Sequence, residues 1–344
     1  MQQARADAAA EGIVASACRI FWEGHERAAW DGFHAASAAA LQQDWAYGQA
    51  MAMWGARALR CVVKCAGMPV ALAQFGVRSL LPGIRVALCS RGPVWSQLID
   101  GAGRVSLLEQ ILRGIPVPWP CIKLVSPAEE AAAQGGIVAM HRVMTGYSTV
   151  LIDLEQSREA LRAALHPKWR NRLAVAERGG LRIERIGTRP GQYRWLLERE
   201  CAQRTLRGYK GLPAAFVPAF QAARDEGSAA ADSLLALRVV RGRDALAAML
   251  FLRHGAAATC HLGWSDPEHR APGASQLLLW TALSMLREAG VRSLDLGGVN
   301  TGRSAGVARF KLGTGGFAQE YVGEWDFNIS PMLAKAFSIY MARR

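Results

Sequence analysis

The chain has 344 residues, 51% hydrophobic and 20% charged, with 41 Lys and Arg against 28 Asp and Glu, a formal net charge of +13. That length accommodates about two domains with separate cores, and the apolar fraction rules out wholesale disorder. No run reaches the roughly 18 uninterrupted apolar residues of a membrane span, since the best stretch, 62–77, contains Lys64, Gly67, Pro69 and Gln74, and the first residues lack an apolar signal core, so the expectation is a cytoplasmic protein.

In chain order, residues 18–22 read as a short strand, followed by a helix from Glu26 and a second over 44–53. Residues 58–65 and 70–77 read as strands about a Gly67-Met68-Pro69 turn, 84–90 continue the sheet, 105–113 form an amphipathic helix and 120–125 a strand. The second half repeats the rhythm. A strand at 149–154 leads to a helix capped by Ser157, interrupted at His166-Pro167 and stopped at Gly179-Gly180. A strand at 181–186 and helices at 192–207 and 214–224 follow. Three strands, 234–240, 245–253 and 257–264, are joined by hairpin-like turns. An apolar helix at 275–289, a strand at 291–296, a glycine-rich loop over 297–316, a last strand at 317–327 and a terminal helix complete the series. The expected fold class is α+β: tandem GNAT-like domains with mixed, mainly antiparallel sheets flanked by helices. The boundaries are 1–148 for the first, completed by 322–344, and 149–321 for the second, which carries the catalytic loop.

The positive charge is concentrated. From Arg158 to Lys210 there are fourteen Lys and Arg against five Glu, which reads either as a solvated helical surface or as a phosphate-binding one. The seven cysteines are odd in number and scattered, so free, mostly buried thiols are expected. Cys61 and Cys65 would share one side of a strand, but no second pair stands near them and no metal site is assigned.

Several segments resemble the FemABX peptidyltransferases. They are Leu294-Asp295-Leu296-Gly297-Gly298-Val299-Asn300, then Val307-Ala308-Arg309-Phe310-Lys311 with Gly315-Gly316. Leu41-Gln42-Gln43-Asp44-Trp45-Ala46-Tyr47-Gly48, Ser90-Arg91-Gly92-Pro93-Val94, Lys168-Trp169-Arg170-Asn171, Gln203-Arg204 and Tyr321-Val322-Gly323-Glu324 follow the family's order along nearly the whole chain. The resemblance implies tandem GNAT folds that move an amino acid from aminoacyl-tRNA onto the stem peptide of a nucleotide- or lipid-linked peptidoglycan-type precursor. It implies no cofactor and no metal, with at most peripheral membrane contact. Three features depart from the family: the long helical hairpin of some members is absent, Val125-Ser126-Pro127 stands where some place an acidic residue before proline as general base, and Thr314 precedes Gly315-Gly316 where the family usually has an aromatic residue.

Acyl transfer from an ester to an amine needs a positioned amine, a route for its proton and a counter-charge for the oxyanion. Lys311, read as lying in a glycine-rich loop, would supply that charge, with a backbone N–H near Phe310 as a second donor; the resemblance implies the same roles. Asp295, mid-strand, reads as structural. Arg204 resembles the arginine that holds a precursor phosphate or carboxylate, a task suited to the guanidinium fork, and reads otherwise as an exposed helix arginine. Tyr209, Asn300 and Arg303 join it as candidate substrate contacts. Trp45, Tyr47 and Arg91 would line the other side of a cleft at the domain junction, or pack in the core. Lys168, Arg170 and Arg172 are candidates for tRNA phosphate. A rival class, acyl-CoA N-acyltransferases of polysaccharide or natural-product systems, cradles pyrophosphate at a helix N-terminus; here Arg270-Ala271-Pro272-Gly273-Ala274-Ser275 matches by half through Arg270 and Gly273. A non-catalytic protein binding RNA or an anionic surface is the third reading.

Overall fold

The computed structural model describes residues 17–127, 140–209, 211–225, 233–269, 271–299 and 305–327. The chain divides into two compact units, one formed by residues up to Tyr147 and from Glu320 onward, the other by Ser148–Gln319.

The first unit is built on one sheet. Its elements are β1 (Cys18–Trp22), α1 (Arg27–Ala36), α2 (Trp45–Met51), β2 (Arg57–Cys65), β3 (Met68–Leu81), β4 (Ile84–Ser90), β5 (Val94–Trp95), α3 (Gly101–Arg113), β6 (Cys121–Ser126) and β7 (Met140–Met144). Alternation in β2 sends Leu59, Cys61, Val63 and Cys65 inward, where they meet Phe75, Cys89 and the apolar stripe Leu107, Leu108, Ile111 and Leu112 of α3. Asp100 caps α3 by accepting the Gly103 N–H at 2.7 Å. A parallel pair, β4 with β6, is bridged by α3, because parallel neighbours need a crossover of this length.

The second unit holds β8 (Ser148–Asp153), α4 (Arg158–Ala164), α5 (Pro167–Arg178), β9 (Arg182–Ile186), α6 (Pro190–Arg207), α7 (Phe216–Asp225), β10 (Leu234–Arg241), β11 (Asp244–His254), β12 (Ala257–Ser265), α8 (Ala274–Glu288), β13 (Ser293–Val299), α9 (Ala305–Leu312) and β14 (Phe317–Glu320). Its sheet runs β14-β8-β13-β12-β11-β10-β9. Here too a parallel pair, β12 with β13, is bridged by a helix, α8, whose Leu278, Leu279, Ala282, Leu283 and Leu286 are buried against Leu237, Phe251 and Leu294. The fold is thus α+β, with two mainly antiparallel GNAT-like sheets flanked by helices.

Three expectations are corrected. The glycine-rich loop contains a helix, α9, because residues 305–312 include Ala308, Arg309, Lys311 and Leu312, all good helix formers. The single last strand is two: β14 joins the second sheet, and β15 (Glu324–Phe327) inserts between β6 and β7 of the first. Between them Gly323 takes φ +99° and packs directly on the Met144 carbonyl, so the strand cannot run through. Finally, Cys18 and Cys65 form a disulfide rather than remaining free thiols. They face each other in the β1–β2 register, Cα to Cα 4.2 Å, although 47 residues apart in sequence. The terminal helix expected after Phe327 lies outside the described residues, and β7 and the two-residue β5 had no expectation.

Candidate active site

The motif around Lys311 comes together where β13 leaves its ladder. Against β8, Asp295 pairs with Leu151 and Gly298 with Thr149, so Leu296 and Gly297 face the single residue Val150 across a bulge. Gly297 takes φ +75° there. Beyond the bulge the Gly298 carbonyl accepts a hydrogen bond from Lys311 Nζ at 2.8 Å. The same Nζ lies 3.6 Å from where a Cβ on Gly297 would stand. Lys311 is half-buried on α9, and burial pushes its ammonium below the usual lysine range, with Cys260 and Asp295 opposing the shift. Burial also raises the Cys260 thiol to about 11, leaving it neutral at physiological pH.

The three glycines after Lys311 serve close packing. A Cβ on Gly313 would stand 2.9 Å from Trp169, one on Gly315 would meet the Ala164 carbonyl, and one on Gly316 would lie 2.7 Å from the Leu151 carbonyl. Trp169 seals this contact: its indole N–H donates to the Phe310 carbonyl at 3.1 Å, and the two rings lie 5.9 Å apart. Phe310 sits inside α9, where the helix ladder engages its N–H.

Arg204 and Tyr209 belong to a second cluster. The Arg204 side chain is 14% exposed; Nη1 donates to the Leu212 carbonyl at 2.7 Å and Nη2 approaches Glu200 Oε2 at 3.7 Å. The Tyr209 hydroxyl donates to Glu200 Oε1 at 3.0 Å, and Gln203 Nε2 reaches both that hydroxyl and the Gly263 carbonyl. Arg204 is thus neither an exposed helix arginine nor a free fork. Beside it His261 occupies a bulge in β12 and stacks on Phe216, ring centroids 5.7 Å apart. Burial, reinforced by Arg204, pushes the His261 imidazole down to about 4, so it stays neutral at ordinary pH. In the sequence, His261 and His269 near Cys260 are the closest approach to a histidine cluster, with a loop as the expected setting of both; His261 lies instead in β12.

On α5 the apolar Trp169, Leu173 and Ala176 face inward, leaving Lys168, Arg170 and Arg172 exposed. Gly273, at φ +80° before α8, packs directly on the Arg172 carbonyl. The first N–H of α8, that of Ala274, donates to the Ala271 carbonyl at 3.1 Å. Arg270, Asn300 and Arg303 lie outside the described residues.

In the first unit, Trp45 stacks under the Arg60 guanidinium, 3.7 Å from its carbon to the ring centroid, and meets Trp30 edge-on. Gln43 is buried, donating to the Ser90 carbonyl at 2.8 Å and accepting from the Gln74 N–H at 2.8 Å. Tyr47, Arg78, Gln42 and Ser90 line an open pocket of about 500 Å3, solvent-filled mouth included, whose apolar wall contains Met51 and Leu88. Arg91 is buried, with its guanidinium 4.9 Å from the ring centroids of both Tyr147 and Tyr321. Glu324 stands one step beyond the Trp325–Val125 pair, beside Ser126, where the sequence offers no acidic residue. No described residue donates to its Oε2, and burial raises its carboxyl above the usual range.

The FemAB family model matches residues 238–341, which include β13, the Asp295–Gly298 bulge and Lys311. The FemABX resemblance is borne out. The fold is similar to the crystal structure of FemX, with a TM-score of 0.76 at 13% identity over 92% of this chain and 100% of that one. It is also similar to a conserved protein of unknown function from Bacteroides thetaiotaomicron (TM-score 0.55, 12% identity, 90% of this chain and 99% of that one). The C-terminal domain of a candidate lysylphosphatidylglycerol synthetase from Agrobacterium fabrum follows (TM-score 0.51, 14% identity, 92% and 97%). At such identities the likenesses establish the fold. No curated protein matches the sequence at a significant level. Among the described residues, no helix is long and apolar enough to cross a membrane.

Proposed function

We propose that the protein is an acyltransferase of the FemABX kind, moving an amino acid from aminoacyl-tRNA to the amine of a peptidoglycan-type cell-envelope precursor on the cytoplasmic side, without cofactor or metal. The observation that carries this reading is the half-buried Lys311 ammonium beside the β13 bulge, within the stretch matched by the FemAB family. In the reaction the acceptor nitrogen attacks the ester carbonyl, a C–N bond forms, the C–O bond to the ribose breaks, and the proton lost by nitrogen is matched by one gained by the ribose oxygen. Lys311 faces the negative charge that develops on the carbonyl or ribose oxygen, where a fixed cation in a partly dehydrated site acts most strongly. Lys168, Arg170 and Arg172 would contact tRNA phosphates. Arg204 and Tyr209 would shape the substrate region through the Glu200 cluster, and Trp45, Tyr47 and Arg91 of the first unit are kept as acceptor contacts from the resemblance alone. Asn300, Arg303 and Arg270 are kept as further contacts from the resemblance alone.

The alternative donor is acyl-CoA, for which the sequence carries half of the pyrophosphate motif at Arg270 and Gly273. The test is to incubate purified protein with a precursor pool and either charged tRNA or acyl-CoA, reading mass gain on the acceptor. An aminoacyl increment from tRNA supports the reading, whereas transfer from CoA alone overturns it in favour of an N-acyltransferase.

A further inference from the structure

The feature of this site that the chemistry above leaves unexplained is a buried carboxylate. Asp295 is 8% exposed, between the buried Leu294 and Leu296, and a charged group there is costly unless donors and an opposite charge meet it. Its Oδ1 accepts two hydrogen bonds from two different strands: the Gly297 N–H at 2.7 Å from β13 and the Thr149 hydroxyl at 2.5 Å from β8. These are the two strands that part at the bulge, and the Gly297 N–H is the group the broken ladder leaves behind. One oxygen thus pins both sides of the irregularity whose far end turns the Gly298 carbonyl to Lys311.

We propose that Asp295 is a positioning residue, holding the β13 bulge in the shape that seats the Lys311 ammonium against the Gly298 carbonyl. The inference rests on the role given to Lys311 above. Charge follows the same logic. The groups that act on Lys311 from the elements packed against it are Cys260 on β12 and Asp295 on β13, while Arg309 on its own helix is exposed. Cys260 is a neutral thiol at working pH, so Asp295 is the anion that offsets burial. A lysine that works as an ammonium loses its effect as pH rises through its pKa. Removing the Asp295 charge therefore moves that loss to lower pH.

Two substitutions separate the parts. Asp295→Asn keeps an oxygen for both donors and deletes the charge; Thr149→Val keeps the charge and deletes one tie, with Thr149→Ser as the conservative control. Lys311 is titrated by trace acetic anhydride labelling across pH, read by peptide mass spectrometry, which needs neither donor nor acceptor. In Asp295→Asn the Lys311 labelling curve should move to lower pH, and the basic limb of kcat should move with it. Thr149→Val should leave the curve in place and lower kcat roughly ten- to a hundredfold, the scale of a small misplacement, with KM little changed and Thr149→Ser restoring the rate. A labelling curve unmoved in folded Asp295→Asn overturns the charge argument, and wild-type kcat in Thr149→Val overturns the positioning; if Asp295→Asn does not fold, Thr149→Val decides. Should the curve shift while neither donor is used, the acyltransfer reading fails and the Asp295–Lys311 coupling stands.

Discussion

Single side chains explain why the glycines near Lys311 misled the expectation of a flexible loop. In sequence, Gly313, Gly315 and Gly316 signal freedom; in the fold the Trp169 ring stands too close for a Cβ at Gly313, and backbone does so at Gly315 and Gly316. Gly315 carries both constraints, at φ +74° and against the Ala164 carbonyl. Gly315→Ala should therefore destabilise the protein by more than about 1 kcal/mol, the scale at which a residue incompatible with positive φ costs stability, measured as a lower urea midpoint with unchanged slope. The candidate lysine itself was legible, because its neighbours follow a family order. Its partners were not. The bond to Gly298 is 13 residues away and that from Thr149 to Asp295 is 146 away, and only the bulge in β13 joins them.

Elements account for most of what could be read in advance. Apolar runs bounded by turns marked β2, β10 and β11, and Ser157, which accepts from Ala160, marked the start of α4; α3 instead begins at Gly101 behind its cap Asp100, ahead of the expected start at 105. The misreadings fall where pairing is long-range. A β15 of four residues is too short to show a period, and its insertion between β6 and β7 depends on strands over 170 residues upstream in the chain. The same insertion leaves Glu324 half-buried. Its folded pKa is raised, so the stability it contributes is complete below the ordinary carboxylate value and is lost as pH rises through the folded value. Glu324→Gln should remove that slope, giving a higher Tm than wild type at pH 7 and little difference at pH 4 in scanning calorimetry. Equal Tm values at both pH values would show that the carboxyl is not held in an apolar setting.

Across the chain as a whole, the net charge of +13 is the feature with the widest consequence. The fourteen Lys and Arg of 158–210 are partly spent internally: Arg162 pairs with Glu177 at 2.8 Å, and Arg204 is drawn to Glu200 and Leu212. Lys168, Arg170 and Arg172 remain on the exposed side of α5. If these meet phosphates, the logarithm of tRNA affinity should fall linearly with the logarithm of salt concentration, and Arg170→Gln should reduce the slope by about 0.9, one duplex phosphate contact. An unchanged slope would remove α5 from the RNA surface. The measurement that bears most directly on the chemistry is single-turnover transfer from charged tRNA by Lys311→Ala at saturating acceptor. A loss of about two orders of magnitude, the scale of one missing oxyanion donor, is predicted with unaltered tRNA binding by a protein that remains folded; transfer at the wild-type rate would contradict the role given to Lys311.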